Sequence, residues 1–190
     1  MGISHTPIRE AMSRLVKDGY VKQLWNRGFF VNEITFEQIE QLYGAREALE
    51  SYLAEEAAHQ VTPGQIQEVE ALLKKYSDYV ECRPRRERRL VDLLFHAKVA
   101  EIAGSSYLER VLGEVFERIV LKQKVSAGQL DRGKDARLQH RAIVVAIRDG
   151  KPNEARRQAL YHVRRWRSKQ LAMLRLQEEA DYLKSRRILG

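Results

Sequence analysis

The sequence has a single cysteine, few prolines and no long apolar run. Its one cysteine, Cys82, excludes an intramolecular disulfide and fits a reducing compartment. No segment approaches the roughly 18 consecutive apolar residues of a membrane span, and the N-terminus lacks the charged-then-apolar pattern of a signal peptide. We therefore expect a cytoplasmic protein that is not membrane-bound and that folds around an ordinary hydrophobic core.

Sequence signatures of catalysis are also missing. The chain contains no Walker loop, no dinucleotide-binding glycine pattern and no nucleophile elbow. His96 is not part of an HExxH motif, and no serine or cysteine has a convincing base partner. These absences favour a binding function over an enzymatic one.

Positive charge exceeds negative charge. The formal net charge is +8 at pH 7, which favours nucleic acid or another polyanion as a partner. Basic residues cluster in Arg83–Arg89 and Arg156–Lys169. Both blocks lie in segments with helical periodicity, and we interpret them mainly as solvated helix faces.

Residues 1–34 are predicted to form part of a winged helix-turn-helix. A helix is expected from the N-cap Thr6 to the stop signal Gly19. Tyr20–Leu24 and Gly28–Val31 then read as two short strands of a hairpin. A helix followed by such a hairpin is typical of the second half of a winged helix-turn-helix.

Residues 35–190 are predicted to form an antiparallel bundle of six or more helices, so the protein is expected to be mostly α. Only four prolines interrupt the long 3.6-residue periodicity. Helix starts are marked by a hydroxyl residue followed three positions later by Glu or Gln, as in capping boxes. These pairs are Thr35 with Gln38, Thr62 with Gln65, and Ser106 with Glu109.

Four residues in three predicted helices form a candidate metal site: Asp92, His96, His140 and His162. Asp92 and His96 are four residues apart, so a helix presents both on one face. Three imidazoles and a carboxylate suit Zn, Ni, Mn or Fe. The alternative for each histidine is a hydrogen-bonded core residue, although Asp92 would be costly to bury without a cation or a hydrogen-bond partner.

Arg46 is a candidate effector-binding residue. It lies within an apolar helical stripe, where an inward guanidinium could hold a small carboxylate through two hydrogen bonds. The alternative is an exposed arginine paired with Glu50, four residues along the helix.

A polar cluster at the start of the first helix is a candidate DNA contact. Hydroxyl, imidazole and guanidinium groups there can reach phosphates and base edges if the helix enters the major groove. Arg27 and Gly28, at the hairpin tip, could reach the neighbouring backbone or minor groove. The cluster comprises Ser4, His5, Thr6 and Arg9. The alternative is plain helix capping and a surface turn.

Both parts of the chain resemble one family. Ser4–Ala11, Gly19–Val21 and Asn26–Val31 resemble the end of the winged helix-turn-helix of GntR-type bacterial transcription regulators. The second part resembles the helical FCD effector domain of the FadR subfamily, in the segments Leu42–Glu50, Asp92–His96, His140–Ile143 and Ala146–Gly150 together with His162.

The resemblance implies a dimeric one-component regulator whose helical domain binds a small organic or sugar acid. Many members carry a metal on an aspartate and three histidines, which match Asp92, His96, His140 and His162. The arginine matching Arg46 would face the effector. The predicted DNA contacts Ser4, His5, Thr6, Arg9 and Arg27 fall where the family touches operator DNA.

Several positions depart from the family pattern. The family has further residues in front of the recognition helix, so we expect the DNA-binding domain to be truncated here. His5 stands where arginine is usual, and Gln139 precedes His140 where glutamate is usual. Ser105 replaces a frequent asparagine, and we expect it to alter the effector pocket.

The sequence therefore predicts a metabolite-responsive transcriptional regulator rather than an enzyme. The expected cofactor is a divalent ion, with Zn, Ni or Mn favoured. The expected partners are operator DNA, if the DNA-binding domain is complete, a small carboxylate metabolite and a second copy of the chain. The alternatives are a metal-dependent metabolite-binding module that does not bind DNA in this form, and a metalloenzyme, which would need a general base that the sequence does not provide.

Overall fold

The computed structural model describes residues 5–32, 35–82, 85–122 and 133–188, and within these ranges the fold is mostly α. Its elements are α1 (His5–Lys17), β1 (Val21–Leu24), β2 (Gly28–Val31), α2 (Phe36–Gln60), α3 (Pro63–Cys82), α4 (Arg85–Ile102), α5 (Ser106–Lys122), α6 (Gly133–Arg148) and α7 (Pro152–Ile188). The predicted fold class is confirmed. No helix among the described residues is long and apolar enough to cross a bilayer.

The N-terminal unit, residues 5–32, consists of α1 and the β1–β2 hairpin. Helix α1 begins at His5, so Thr6 lies inside the helix and the predicted N-cap is wrong by one residue or more. Gly19 adopts a positive φ of 75° after the helix, as a glycine readily does. The predicted boundary between residues 34 and 35 adjoins residues 33 and 34, which lie outside the described ranges, and it stays a prediction.

The hairpin is antiparallel, with Val21 opposite Val31 and Leu24 opposite Gly28. Its turn needs left-handed backbone at Asn26 (φ 55°) and Gly28 (φ 88°), and asparagine and glycine are the residues that tolerate this conformation best. The turn therefore follows directly from the local sequence.

Two predicted capping boxes are present. At the start of α2 the Thr35 hydroxyl accepts from the Gln38 amide at 3.1 Å, and the Gln38 side chain accepts from the Thr35 amide at 3.3 Å. Thr62 and Gln65 make the same exchange before α3, at 3.3 and 3.0 Å. Each box satisfies amides that the first helical turn leaves without a partner.

The cap of α5 differs from the prediction. The helix begins at Ser106, and the hydroxyl of the preceding Ser105 accepts from the Leu108 amide at 3.4 Å. Ser105, rather than Ser106, is therefore in the capping position. The two adjacent serines made this one-residue shift invisible in the sequence.

Helix α2 packs against α4, α5, α6 and α7 and forms the centre of the bundle. Its buried stripe alternates steps of three and four residues, as a helix buried along one side requires. The stripe runs through Ile39, Tyr43, Arg46, Glu50, Leu53 and Ala57. Two charged residues thus occupy positions that would ordinarily be apolar.

The second basic block attaches α7 to its neighbours. Its side chains are largely exposed, in agreement with the sequence interpretation, and several also pair with acids on α2 and α6. The pairs include Arg156–Glu55 at 2.7 Å, Arg167–Glu47 at 3.0 Å and Lys169–Asp135 at 2.8 Å. Exposed pairs of this kind each contribute less than about 1 kcal/mol. The first block is described only in part, since side chains 82–86 lie outside the described set.

Candidate metal centre

Three histidines from three helices meet in the core of the bundle. His96 on α4, His140 on α6 and His162 on α7 each offer a ring nitrogen, and these nitrogens all lie within 4.8 Å of one another. The three residues are 4%, 0% and 2% exposed. Imidazole nitrogens that converge in this way can share one divalent cation.

Aromatic neighbours hold the central ring in place. The His140 ring stacks on Phe95 with centroids 4.3 Å apart and meets Tyr76 edge-on at 5.1 Å. The His140 centroid lies 5.1 Å from that of His96 and 4.7 Å from that of His162. Phe95 and Tyr76 belong to two different hydrophobic clusters of the core, so the histidines lie where these clusters meet.

Three of the buried ring nitrogens have no hydrogen-bond partner among the described residues. They are Nδ1 and Nε2 of His140 and Nε2 of His96. A buried polar atom without a partner costs about 1–3 kcal/mol, and native structures contain few of them. Each neutral imidazole can give the lone pair of one nitrogen to a metal ion, so the donor set fits a cation.

Two of the histidines are oriented by hydrogen bonds at the opposite ring nitrogen. His96 Nδ1 lies 2.9 Å from Glu50 Oε2, and His162 Nδ1 lies 2.9 Å from Gln139 Oε1. Carboxylate and amide oxygens accept hydrogen bonds, so a proton on Nδ1 satisfies each pair and leaves Nε2 free to give a lone pair to a metal. A metal ligand needs this tautomer, and hydrogen bonds from the opposite ring nitrogen to a carboxylate or an amide commonly fix it.

Asp92 lies beside the three histidines rather than among them. Its Oδ1 is 3.5 Å from His140 Nε2, and its side chain is 26% exposed. The group of mutually close ligand atoms in the described residues includes the histidines but not Asp92. The structure thus brings together three of the four predicted ligands, and Asp92 as fourth ligand stays a prediction.

Arg46 matches neither of its two predicted states completely. It is paired with Glu50, as the alternative proposed, with Nε 2.5 Å from Oε1, but it is only 5% exposed. The guanidinium carbon lies 4.5 Å from the ring centroid of Phe116 and 5.0 Å from that of Tyr43. Arg46 is therefore a buried cation held between aromatic rings.

The Glu50 carboxylate joins Arg46 to the metal centre, because its second oxygen contacts His96. Burial alone would raise the pKa of Glu50, but the charges and hydrogen bonds of Arg46 and His96 outweigh burial and hold that pKa well below its ordinary value. Burial similarly opposes the charge of Arg46, and Glu50 reverses this effect and raises the pKa of Arg46. Both groups are ionised at neutral pH.

His140 is neutral at neutral pH. Burial lowers its pKa to about 3, and the charge of Asp92 opposes this only in part. A neutral imidazole keeps the lone pair that a metal ligand donates, so no proton has to leave His140 before an ion binds.

Two small cavities adjoin the histidines. One, of about 10 Å³, lies among apolar side chains beside Glu50 and His96. The other, of about 20 Å³, lies on the polar side and is lined by Arg46, Asp92 and His162. Each has room for about one water molecule. An organic acid therefore needs space beyond these cavities.

The other predicted site residues lie elsewhere. Ser105 lines neither of the two cavities, and its effector role stays a prediction. Ser4 lies outside the described residues, and for His5 only the backbone is described. The remaining predicted DNA contacts are all exposed: Thr6, Arg9, Arg27 and Gly28.

Two residues at the centre were not predicted as site residues. Glu50 lies seven residues after Tyr43 and three before Leu53, so the stripe of α2 already indicated a buried carboxylate. Gln139 lies four residues before Ile143, on the apolar side of α6. A buried polar residue beside a candidate ligand was the signal in both cases.

Comparison with known proteins places the chain among bacterial regulators. The family model for the FCD domain matches residues 41–165. The HTH-type transcriptional regulator YdhC of Bacillus subtilis is 23% identical over 168 residues, which span 85% of this chain and 72% of YdhC. The Nta operon transcriptional regulator of Aminobacter aminovorans is 24% identical over 163 residues, which span 86% of this chain and 76% of that protein.

Solved structures show the same architecture. McbR/YncC of E. coli superposes with a TM-score of 0.76 at 21% identity, covering 93% of this chain and 87% of McbR/YncC. A putative GntR regulator from Rhodococcus sp. RHA1 superposes with a TM-score of 0.72 at 20% identity, covering 90% of this chain and 81% of that one. At these identities the likeness concerns the fold.

Proposed function

This chain belongs to the FCD domain family of GntR-type transcriptional regulators, and from that premise we propose that a divalent metal and a small carboxylate in its helical bundle control its binding to operator DNA. The relatives are regulators rather than enzymes. The observation that carries the proposal is the group of three buried histidines, in which Nε2 of His96 and both ring nitrogens of His140 have no hydrogen-bond partner among the described residues.

His96, His140 and His162 would hold the ion, with Asp92 near enough to join them after a small movement. Nitrogen-rich sites with one carboxylate suit Zn, Ni or Mn. When bound, the ion supplies a positive centre that attracts an anionic ligand. Because Arg46 and Glu50 cancel and Asp92 contributes one negative charge, the loaded site would carry a net charge of about +1, which favours a carboxylate.

The DNA end of the molecule is connected to this centre through α5. Phe116 on α5 contacts Arg46, and Arg118, two residues further on, lies over the Tyr20 ring of the N-terminal unit with its guanidinium carbon 5.9 Å from the centroid. A ligand that shifts α5 would alter both contacts. If the ligand binds more tightly when α5 is in one of two positions, ligand binding favours that position. The effector site would then be coupled to the N-terminal unit.

Arg46→Lys tests the effector part. Lysine keeps the positive charge that pairs with Glu50, but it cannot donate two parallel hydrogen bonds to one carboxylate as a guanidinium does. In the Zn-loaded full chain we expect the best binder among acetate, lactate and gluconate to bind about tenfold more weakly by calorimetry, with Zn affinity unchanged. Arg164→Lys, at an exposed position of α7, is the control. Unchanged acid affinity in Arg46→Lys would contradict the proposal.

A metabolite-binding module that does not bind DNA is the second candidate. It is favoured by the N-terminal unit, in which no described side chain is fully buried. A mobility-shift assay of the full chain on the promoter next to its own gene separates the two. A specific shift that changes with metal or acid supports the regulator, and no shift supports the module.

A further inference from the structure

A large groove lies between α4 and α5 on the outside of the bundle, with a volume of about 670 Å³. This volume is more than ten times that of either small cavity beside the histidines, and it falls within the range of volumes of small-molecule sites. Most of its lining is apolar: Leu93, Leu94, Ala97, Leu112, Phe116 and Val120. Leu94 is 44% exposed, so the groove is open to solvent.

Only single side chains separate the groove from the metal centre. Leu112 lines both the groove and the inner apolar cavity beside His96. Phe116 lines the groove, and its ring centroid lies 5.2 Å from that of His96 and 4.5 Å from the Arg46 guanidinium carbon. A rotation of Phe116 would open a path from solvent to Arg46.

We propose that the groove is the entrance to the effector site and that it holds the apolar body of an amphipathic monocarboxylate whose head lies at Arg46. This rests on the proposed function and adds the ligand class, an acid with a hydrocarbon body rather than a polyhydroxylated one. The two small cavities beside the histidines have no room for an organic acid, whereas the groove can take a chain of several methylenes, whose burial is favourable.

The charges at the groove fix the direction of the ligand. Glu109 and Glu117 line the groove and would repel a carboxylate placed there. Arg110 also lines it, but its guanidinium lies over the Tyr107 ring at 5.1 Å. The buried cation Arg46 behind Phe116 therefore offers the better position for the head, and the apolar lining receives the tail.

Gly113 offers a way to fill the groove without disturbing the core. It lines the groove, and a Cβ built on it would meet no heavy atom within 4 Å. Gly113→Leu therefore places a side chain in the groove and replaces a poor helix former with a good one. Gly64→Leu, at another helical glycine with open space around it, is the matched control in α3.

The test measures binding of octanoate, gluconate and octanol to the Zn-loaded full chain by calorimetry. Octanoate is expected to bind at least about tenfold more tightly than gluconate, which lacks an apolar body, and than octanol, which lacks the carboxylate. Gly113→Leu is expected to weaken octanoate at least about tenfold and to leave Zn affinity unchanged, while Gly64→Leu changes neither.

The groove proposal would be overturned if gluconate bound as tightly as octanoate, or if Gly113→Leu did not weaken octanoate binding. It would also be overturned if Gly113→Leu converted a dimer to a monomer in sedimentation while octanoate affinity stayed intact. That result would assign the groove to a contact between two copies of the chain. If gluconate binds with a dependence on Arg46, the proposed function stands even when the groove proposal fails.

Discussion

The bundle and the N-terminal unit use side chains in opposite ways, and the two tryptophans show the difference. Trp166 in α7 is 4% exposed and lies next to His162, with ring centroids 6.5 Å apart, whereas Trp25 at the hairpin turn is 90% exposed. The bundle surrounds its polar groups with a core. In the N-terminal unit, residues 5–32, every described side chain is at least partly accessible.

The same contrast holds for arginines. Arg46 is buried, pairs with one carboxylate and acts where the dielectric constant is low, so its charge interacts strongly over a short range. Arg9 and Arg27 are exposed, where salt screens charge within about 10 Å. The buried cation fits the small acid that we propose for the bundle, and the exposed cations fit the DNA that we propose for the N-terminal unit.

The largest expected effect in this comparison comes from His140→Leu, which keeps the approximate volume and removes two orphaned nitrogens. In excess Zn the wild-type chain should gain about 3 kcal/mol in free energy of unfolding at 100 times the dissociation constant, and the variant should gain almost none. Without metal the variant should be about 1–3 kcal/mol more stable than wild type, since it buries no unsatisfied imidazole. Urea unfolding followed by tryptophan fluorescence measures both values.

His59→Leu, at an exposed histidine near the end of α2, is the control and should retain the full Zn-dependent gain. A Zn-dependent gain that survives in His140→Leu would place the ion somewhere other than the bundle core.

Glu50→Gln should have the next largest effect. It removes the charge that orients His96 and pairs with Arg46, and loss of such a supporting contact typically weakens metal binding 10–100-fold. Competition with a Zn-binding dye measures the affinity. Glu55→Gln, on the same helix but paired with Arg156 at the surface, should change it less than about twofold. If both variants changed Zn affinity equally, Glu50 would have no specific role in supporting the metal ligands.

Acid should destabilise the metal-free bundle through His140. Its pKa is about 3 in the folded chain against an ordinary value of 6.5, so the unfolded state binds more protons between these values. The pH-dependent cost of burying His140 in its neutral form is therefore close to zero above pH 6.5 and grows as pH falls towards 3, at up to about 1.4 kcal/mol per pH unit. Urea unfolding in chelator at pH 7.0 and 5.5 tests this. His140→Leu should show a smaller loss, and an identical loss would contradict the assignment.

Arg27→Gln should have the smallest effect. It should weaken DNA binding slightly and leave the helical bundle unchanged. Loss of one phosphate contact lowers the slope of log affinity against log salt by about 0.9 and weakens binding to all sequences alike. Fluorescence anisotropy of labelled promoter DNA at several salt concentrations gives the slope. Lys74→Gln, on the exposed side of α3, should leave it unchanged. If the slope changed in Lys74→Gln but not in Arg27→Gln, the result would indicate that DNA contacts the bundle rather than the hairpin.

Much of the fold follows from local sequence signals. Glycine and asparagine mark the hairpin turn, and the hydroxyl–glutamine pairs at Thr35 and Thr62 form the capping boxes that their spacing predicts. The cap of α5 was misplaced by one residue, because Ser105 and Ser106 are chemically equivalent and only the backbone path distinguishes them.

The sequence predicted that the three histidines lie close together, but not the contacts that support them. Helical periodicity placed His96, His140 and His162 on inward faces, and the structure brings them together. The role of Glu50 depends on tertiary packing, because the apolar stripe of α2 indicates that the carboxylate is buried but not which side chain of another helix it contacts. Its contact with His96 of α4 is set by how α2 and α4 pack, which no local pattern contains.

X-ray absorption spectroscopy of the Zn-loaded full chain tests the central claim most directly. We predict about three imidazole nitrogens at roughly 2.0–2.1 Å from the ion, with fewer in His140→Leu. Coordination by oxygen atoms alone, identical in the wild type and the variant, would contradict it.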